Sequence, residues 1–227
     1  MKHSLWVGLL TFAGATASQA FYGNDFETGI AGPEWSLNGV INSVGVSTTV
    51  TGNRRFAGHF SNDVVNLSLE GLTVGQTYLV GFDLFIINSW DGNDGVYGMD
   101  RFEFGIGNDV FLNTSFSNTE EENHRQNFPD NLSTGNDYAA GTGADEKDTL
   151  GFTYYGDSVY KFGGPNHAPF AFVAVSPFAT LSWQARNLQG VGDESWGLDN
   201  VVVNAVPEPS TIAIVGLLAL VARRRAR

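Results

Sequence analysis

Apolar and polar residues alternate by two along much of this chain. Val65, Leu67 and Leu69 are separated by Asn66 and Ser68, Phe102, Phe104 and Ile106 by Glu103 and Gly105, and Leu181, Trp183 and Ala185 by Ser182 and Gln184. Successive side chains of a strand point to opposite faces, so each stretch predicts a strand with one buried and one wet face. Two runs are apolar on both faces: Tyr78 to Ile87, apart from Gly81 and Asp83, and Ala171 to Val175. They predict central strands covered on both sides. Gly71-Leu72-Thr73-Val74-Gly75-Gln76 lies between two strands, and its glycines permit the positive φ of a hairpin connection. Outside the two ends no sustained 3.6-residue apolar period occurs. About ten strands with Gly/Asn/Asp turns predict an all-β fold over residues 21–205, a jelly-roll sandwich of two antiparallel sheets. A closed barrel is the alternative; the aromatic load suits a flat core between sheets better.

The two ends follow a different pattern. Lys2 precedes an apolar stretch, Leu5 to Ala13, and Ser18-Gln19-Ala20 places small residues where a signal peptidase reads. Residues 1–20 therefore read as a helical secretory signal peptide, with the mature chain starting at Phe21. The far end runs Val206-Pro207-Glu208-Pro209-Ser210-Thr211, then apolar Ile212 to Ala222, then Arg223-Arg224-Arg225-Ala226-Arg227. A short hydrophobic helix from Thr211 to Ala222 would rise about 18 Å, against a hydrocarbon core of about 30 Å. Alone it makes a weak membrane anchor. With Pro207, Glu208 and Pro209 before it and arginines after it, residues 206–227 resemble the PEP-CTERM sorting tail of exported bacterial proteins. The resemblance implies processing by an exosortase-type membrane protease while the tail lies transiently in the inner membrane. It also implies delivery to the cell surface or extracellular matrix of a Gram-negative-type bacterium.

Charge narrows the partners. The whole chain carries a formal net charge of −12, and residues 21–205 hold 23 acidic against 7 basic side chains, a net of −16. Nucleic acid is excluded as a natural partner by that balance. A divalent cation, or solubility in a salty exterior, fits it. The chain has no cysteine, which excludes disulfides and thiolate metal sites. Ser117 to Asp148 is polar and acidic with few core candidates. It reads either as a solvated excursion or as a segment folded over one sandwich edge to line a binding site.

Acidic residues gather in two places. The mature chain opens Asn24-Asp25-Phe26-Glu27, with Trp35 following, and closes Trp196-Gly197-Leu198-Asp199-Asn200-Val201. These ends resemble those of lectin-like and laminin-G-like jelly rolls and of carbohydrate-binding modules. The resemblance implies that first and last strands pair and that acids from both hold structural calcium. Alternation would put Asp25 and Glu27 on one strand face, where pairing with the Asp199 strand makes them a candidate Ca2+ site. Edge protection is the other reading of these acids. The second gathering, Trp90-Asp91-Gly92-Asn93-Asp94-Gly95 with Asp100, offers Asp91, Asn93, Asp94 and Asp100 as ligands. It departs from an EF-hand, since Phe102 stands where the bidentate glutamate belongs. Phe82-Asp83-Leu84-Phe85, Ser89 to Gly92, Asp100-Arg101-Phe102, Thr114 to Asn118 and Gln126-Asn127-Phe128-Pro129 are together similar to a domain of bacterial PEP-CTERM proteins that carries no assigned activity.

Catalytic signatures are absent. The Glu-x-Asp-x-x-Glu strand of laminarinase-like jelly rolls has no counterpart, because Asp193-Glu194-Ser195-Trp196 lacks the second glutamate. Gly156-Asp157-Ser158 reads as a hairpin turn rather than an esterase block. His59, His124 and His167 stand singly, without metal-ligand spacing. The expectation is a non-catalytic exported protein that binds extracellular polysaccharide or a surface protein with calcium rigidifying the fold. Trp90, Tyr97, Tyr154, Tyr155 and Trp196 are its candidate stacking surfaces. A glycoside-hydrolase-like enzyme and a purely structural coat protein are the alternatives.

Overall fold

The computed structural model describes residues 19–119 and 124–207. The expected signal-peptide helix up to residue 18 and the C-terminal hydrophobic helix lie outside the described residues, as do Glu208 and Pro209 of the sorting motif. Among the described residues no helix is long and apolar enough to cross a membrane.

The chain opens with β1 (Gln19–Asn24), β2 (Trp35–Leu37), β3 (Val40–Ile41), β4 (Val46–Thr48) and β5 (Arg55–Phe60). The long central strands follow: β6 (Val64–Glu70), β7 (Thr77–Asn88), β8 (Arg101–Ile106) and β9 (Asp109–Ser115). Short pairings come next, β10 (Arg125–Gln126), β11 (Tyr138–Ala139) and β12 (Glu146–Lys147), with one 3-10 turn at Leu132–Thr134. The chain ends with β13 (Asp157–Phe162), β14 (Phe170–Val173), β15 (Phe178–Arg186) and β16 (Glu194–Ala205).

Apart from β10 and β11, which pair only with each other, these strands form an all-β sandwich of two antiparallel sheets. One has the order β12-β13-β7-β16-β5-β4, with β1 against β16 and β14 against β7; the other has the order β3-β2-β6-β15-β8-β9. The chain crosses between the sheets repeatedly, among other places between β1 and β2, β3 and β4, β5 and β6, β6 and β7, β7 and β8, β14 and β15, and β15 and β16, as a jelly roll requires. First and last strands pair, as expected. Alternation in β6, β8 and β15 also behaves as expected: Val65, Leu67, Leu69, Phe102, Phe104, Ile106, Leu181, Trp183 and Ala185 all face the core. Trp35 stacks on Trp183 at 5.6 Å, and Phe82 meets Phe104, Phe162, Phe170 and Trp183.

β7 is the central strand that its double-faced apolar run predicts. Phe82, Leu84 and Ile86 point into the main core, while Phe85 and Ile87 point outward into a second cluster with Phe56, Leu150 and Val159. Two expectations need correction. Ala171 to Val175 is not central: among the described residues β14 has β7 as its only strand neighbour, and Val173 and Val175 are exposed. Its place along β7 is end to end with β13. Gly71–Gln76 does not make a hairpin either, because β6 and β7 belong to different sheets. Gly71 and Gly75 do take positive φ (80° and 87°), but Leu72 is buried between the sheets and turns the loop into a crossover.

The polar excursion is not simply solvated. Gln126 is fully buried; its Oε1 accepts from the Ser117 and Gly141 N–H groups, and its Nε2 donates to the Phe128 and Thr142 carbonyls. Phe128 packs on Phe116, Tyr160 and Phe162. The segment is thereby fastened over one edge of the sandwich.

Candidate functional site

Several connections meet at one end of the sandwich. They are the β7–β8 loop (89–100), the β15–β16 loop (187–193), the loop before β13, and Thr119 and His124 of the excursion. Local chemistry shapes the first of them. Gly92 has φ +67°, and a Cβ there would sit 2.1 Å from the Arg125 carbonyl oxygen, so the backbones touch only because the residue is glycine. Asp94 closes the next turn by accepting the Val96 and Tyr97 N–H groups on Oδ1, and these bonds hold its carboxyl below the usual range.

Inside this end, one carboxylate oxygen from each of Asp91, Asp100 and Glu194 lies within 4.8 Å of the others. Asp100 and Glu194 are both 0% exposed. One oxygen of each is satisfied: Asp100 Oδ2 accepts the Asp91 N–H, and Glu194 Oε2 accepts the Gln189 N–H at 2.5 Å. Asp100 Oδ1 and Glu194 Oε1 have no hydrogen-bond partner. Burial pushes the Asp100 carboxyl up to about 7 and that of Glu194 up to about 8, with negative neighbours Asp91 and Asp193 adding to both and Asp100 to Glu194. Asp91 is raised by burial too, against the pull of His124. The His124 ring sits between two acids, with Nδ1 3.0 Å from Asp91 Oδ1 and Nε2 3.3 Å from Asp94 Oδ2.

Above the trio opens a cleft of about 260 Å³ with Asp91, Asp193, His124 and Gln189 among its walls. Tyr97, Tyr154 and Tyr155 form its rim and are 59%, 54% and 50% exposed. Ser89 Oγ donates to Asp193 Oδ1 at 2.7 Å, and the Asp193 charge pushes the Tyr154 phenol up. A second cleft of about 530 Å³ shares Thr119 and Tyr155 with the first and runs past Lys147, Phe152 and Ser158.

The structure sorts the residues proposed from sequence. Tyr97, Tyr154 and Tyr155 are gathered around one opening. Trp90 and Trp196 are not stacking surfaces: both are 0% exposed. Their indole N–H groups donate to the Ser195 and Ser61 carbonyls, and Trp196 packs on Phe60 and Phe102. Asp25, Glu27 and Asp199 are not brought together as a ligand set. β1 stops at Asn24, whose Oδ1 accepts the Phe26 N–H and bends the chain, so Asp25 and Glu27 lie exposed in the turn beyond. Glu27 accepts the Arg55 N–H, while Asp199 Oδ2 is 3.3 Å from Arg54 Nη2. A guanidinium from the chain itself neutralises Asp199.

Of the second proposed set, Asp91 and Asp100 do converge. Asn93 turns away to Ser115 and Asp137, and Asp94 to its own turn and His124. Glu194 is the member that reading the sequence missed. Only the register of β16 on β7, which sets Glu194 opposite Asn88, brings it under the 89–100 loop. His59 bonds Ser195 Oγ and packs on Phe56 and Phe152, and His167 bonds the Gly143 carbonyl.

Comparison with known proteins gives one sequence match: residues 205–226 match the PEP-CTERM protein-sorting motif. The motif indicates an exported protein sorted to the cell surface. No curated protein matches the chain. Similar solved structures include the GH115 4-O-methyl-α-glucuronidase BtGH115A, described as specific for decorated arabinogalactans (10% identity, TM-score 0.39, 91% of this chain and 20% of that one). Another is the CBM22-1–GH10 portion of Clostridium thermocellum xylanase Xyn10B with xylohexaose (14%, 0.31, 79% and 27%). A third is the C-terminal family 22 carbohydrate-binding module of the same xylanase (10%, 0.34, 84% and 96%). The chain spans 20% and 27% of the first two.

Proposed function

We propose that this exported β-sandwich binds a polysaccharide in the tyrosine-rimmed cleft, after an exosortase-type protease has processed its tail. The observation that carries the reading is the placement of three half-exposed tyrosines around a polar, acid-floored opening. Tyrosine offers an apolar face to a pyranose ring and a phenol to its hydroxyls, with little side-chain entropy to lose. Asp91, Asp193 and Gln189 supply the oriented acceptors and donors that a sugar's hydroxyl groups need. Their negative charge favours neutral or amino-sugar polymers over uronic-acid polymers, which the floor would repel.

The reading is non-catalytic. Asp100 and Glu194 have the raised pKa values of general acids, yet neither reaches solvent and so neither touches a bound sugar.

A glycan array with the purified protein is expected to show retention of neutral or amino-sugar polymers. Replacing Tyr97 and Tyr154 together by alanine should weaken that binding about tenfold, from about 0.5–1.5 kcal/mol per aromatic contact. The melting temperature should hardly move, because both rings are exposed. Retention confined to uronate polymers, or equal binding by the double variant, would remove this site from consideration.

A further inference from the structure

We infer that Asp91, Asp100 and Glu194 form a buried divalent-cation site, suited to calcium, beneath the cleft. The site goes beyond the carbohydrate reading and stands or falls without it. Three carboxylates within 4.8 Å of one another repel unless protons or a cation intervene. The two fully buried members each leave one oxygen without any partner, and a buried unpaired acceptor is costly. Elsewhere this chain settles the same problem with its own cation: Arg54 lies among Asp83, Asp199 and Glu146. Among the described residues no arginine or lysine forms an ion pair with Asp100 or Glu194. His124 faces Asp91 and Asp94 instead. The trio is therefore short of positive charge, with one buried oxygen of Asp100 and one of Glu194 unpartnered.

The donor set also speaks to the metal. All three side chains offer oxygen, and the chain has no thiolate to offer, so a hard cation is favoured over a soft one. Calcium accepts irregular loop geometry, whereas magnesium demands a near-ideal octahedron. Bound there, the ion would tie the 89–100 loop to the start of β16 and so hold Asp91 and Asp193 in the cleft floor.

The test uses the whole purified protein. Calcium content is measured by elemental analysis before and after chelator, then CaCl2 or MgCl2 is returned in a calorimeter and during thermal unfolding. One calcium per chain is expected, with a melting temperature at least about 5 °C higher than in chelator and a smaller gain from magnesium. Glu194→Gln should weaken calcium binding at least 100-fold while leaving the chelated protein as stable as the wild type or more so, because a neutral amide fills the same space without the repulsion that the metal-free trio otherwise relieves by taking up a proton. Glu27→Gln, in the exposed turn, should bind as the wild type does. A wild type that binds no calcium at about 10 millimolar (roughly tenfold above the weak limit of extracellular sites), with a melting temperature indifferent to chelator, overturns the site. So does a Glu194→Gln protein that binds with unchanged affinity. Should Glu194→Gln fail to fold, Asp100→Asn and the wild-type stoichiometry decide. Calcium bound without any glycan retained, or the reverse, separates this site from the carbohydrate reading.

Discussion

Replacing Asp157 by alanine is expected to lower the melting temperature by roughly 8–16 °C. The carboxylate is buried at the start of β13 and accepts four backbone N–H groups. Oδ1 takes those of Thr149 and Leu150 at 3.0 Å each, and Oδ2 those of Gly151 and Phe152 at 3.0 and 3.1 Å. Those bonds fold residues 149–152 over the outer face of the large sheet. There Leu150 completes the cluster of Phe56, Phe85, Ile87 and Val159. Alanine would leave four donors to find water and would loosen Leu150. We set the cost at about 4 kcal/mol, below the sum of four unsatisfied groups because the loop is close to solvent. At about 2–4 °C per kcal/mol for a domain of this size, the melting shift follows. Asp157→Asn should lose about half as much, since one oxygen remains while the amide nitrogen faces two donors. Calorimetry checks the shift, and faster proteolysis between residues 149 and 156 checks its location. A fall under 2 °C would mean that the carboxylate is not what holds the loop.

The second large effect is expected at Arg54. Asp83 on β7 and Asp199 on β16 stand directly opposite each other in the ladder, an arrangement that is repulsive without a counter-charge. Arg54 Nη2 lies 3.3 Å from both, and Nη1 lies 3.2 Å from Glu146 Oε2. Lys161 meets the other oxygen of Glu146 and also favours the charged form of Asp83. The Arg54 guanidinium further rests over the Phe85 ring at 4.7 Å. Arg54→Met keeps much of the packing and removes the charge, at about 3 kcal/mol or roughly 6–12 °C near pH 8.

The pH dependence of that loss has a definite sign. Burial already raises Asp199 from 3.8 to about 6 despite Arg54, and Asp83 is raised as well. With the folded value above the unfolded one, the native state holds the proton longer. Asp199 therefore favours folding most below about pH 4, and that contribution is lost as pH climbs through 6. Without Arg54 the folded values rise further, so the deficit of Arg54→Met should be widest at pH 8 and close toward pH 5. Asp199→Asn combined with Arg54→Met should recover part of the stability at pH 8. Parallel melting curves across that range would expose a constant deficit, which would mean that lost packing rather than lost charge is responsible.

Much of the fold was legible because a strand with one wet face must alternate. Val65-Leu67-Leu69, Phe102-Phe104-Ile106 and Leu181-Trp183-Ala185 showed their inner faces directly, and Tyr78–Ile87 showed that both of its faces were covered. The errors arose where one local signal serves two tertiary outcomes. Positive-φ glycines at Gly71 and Gly75 suit a hairpin or a crossover equally, and the burial of Leu72 chose the crossover. The apolar run Ala171–Val175 looked central, but apolar composition does not say how many neighbours a strand has. An aromatic in a Gly/Asp loop looks like a ligand platform; Trp90 instead donates to Ser195 from within the core, while Tyr97, in the same loop, stays outside.

Order along the chain was enough for the export-type tail, the acidic character, the strand faces and the presence of two acid-rich segments, because each is a matter of composition or short-range period. Three-dimensional folding alone chose which acids meet. Asp199 went to Arg54, Asp25 and Glu27 to an open turn, and Asp91 and Asp100 to a glutamate more than 90 residues away. Spacing in the chain does not encode that choice, because β16 must first find its register on β7 before Glu194 has any neighbours at all.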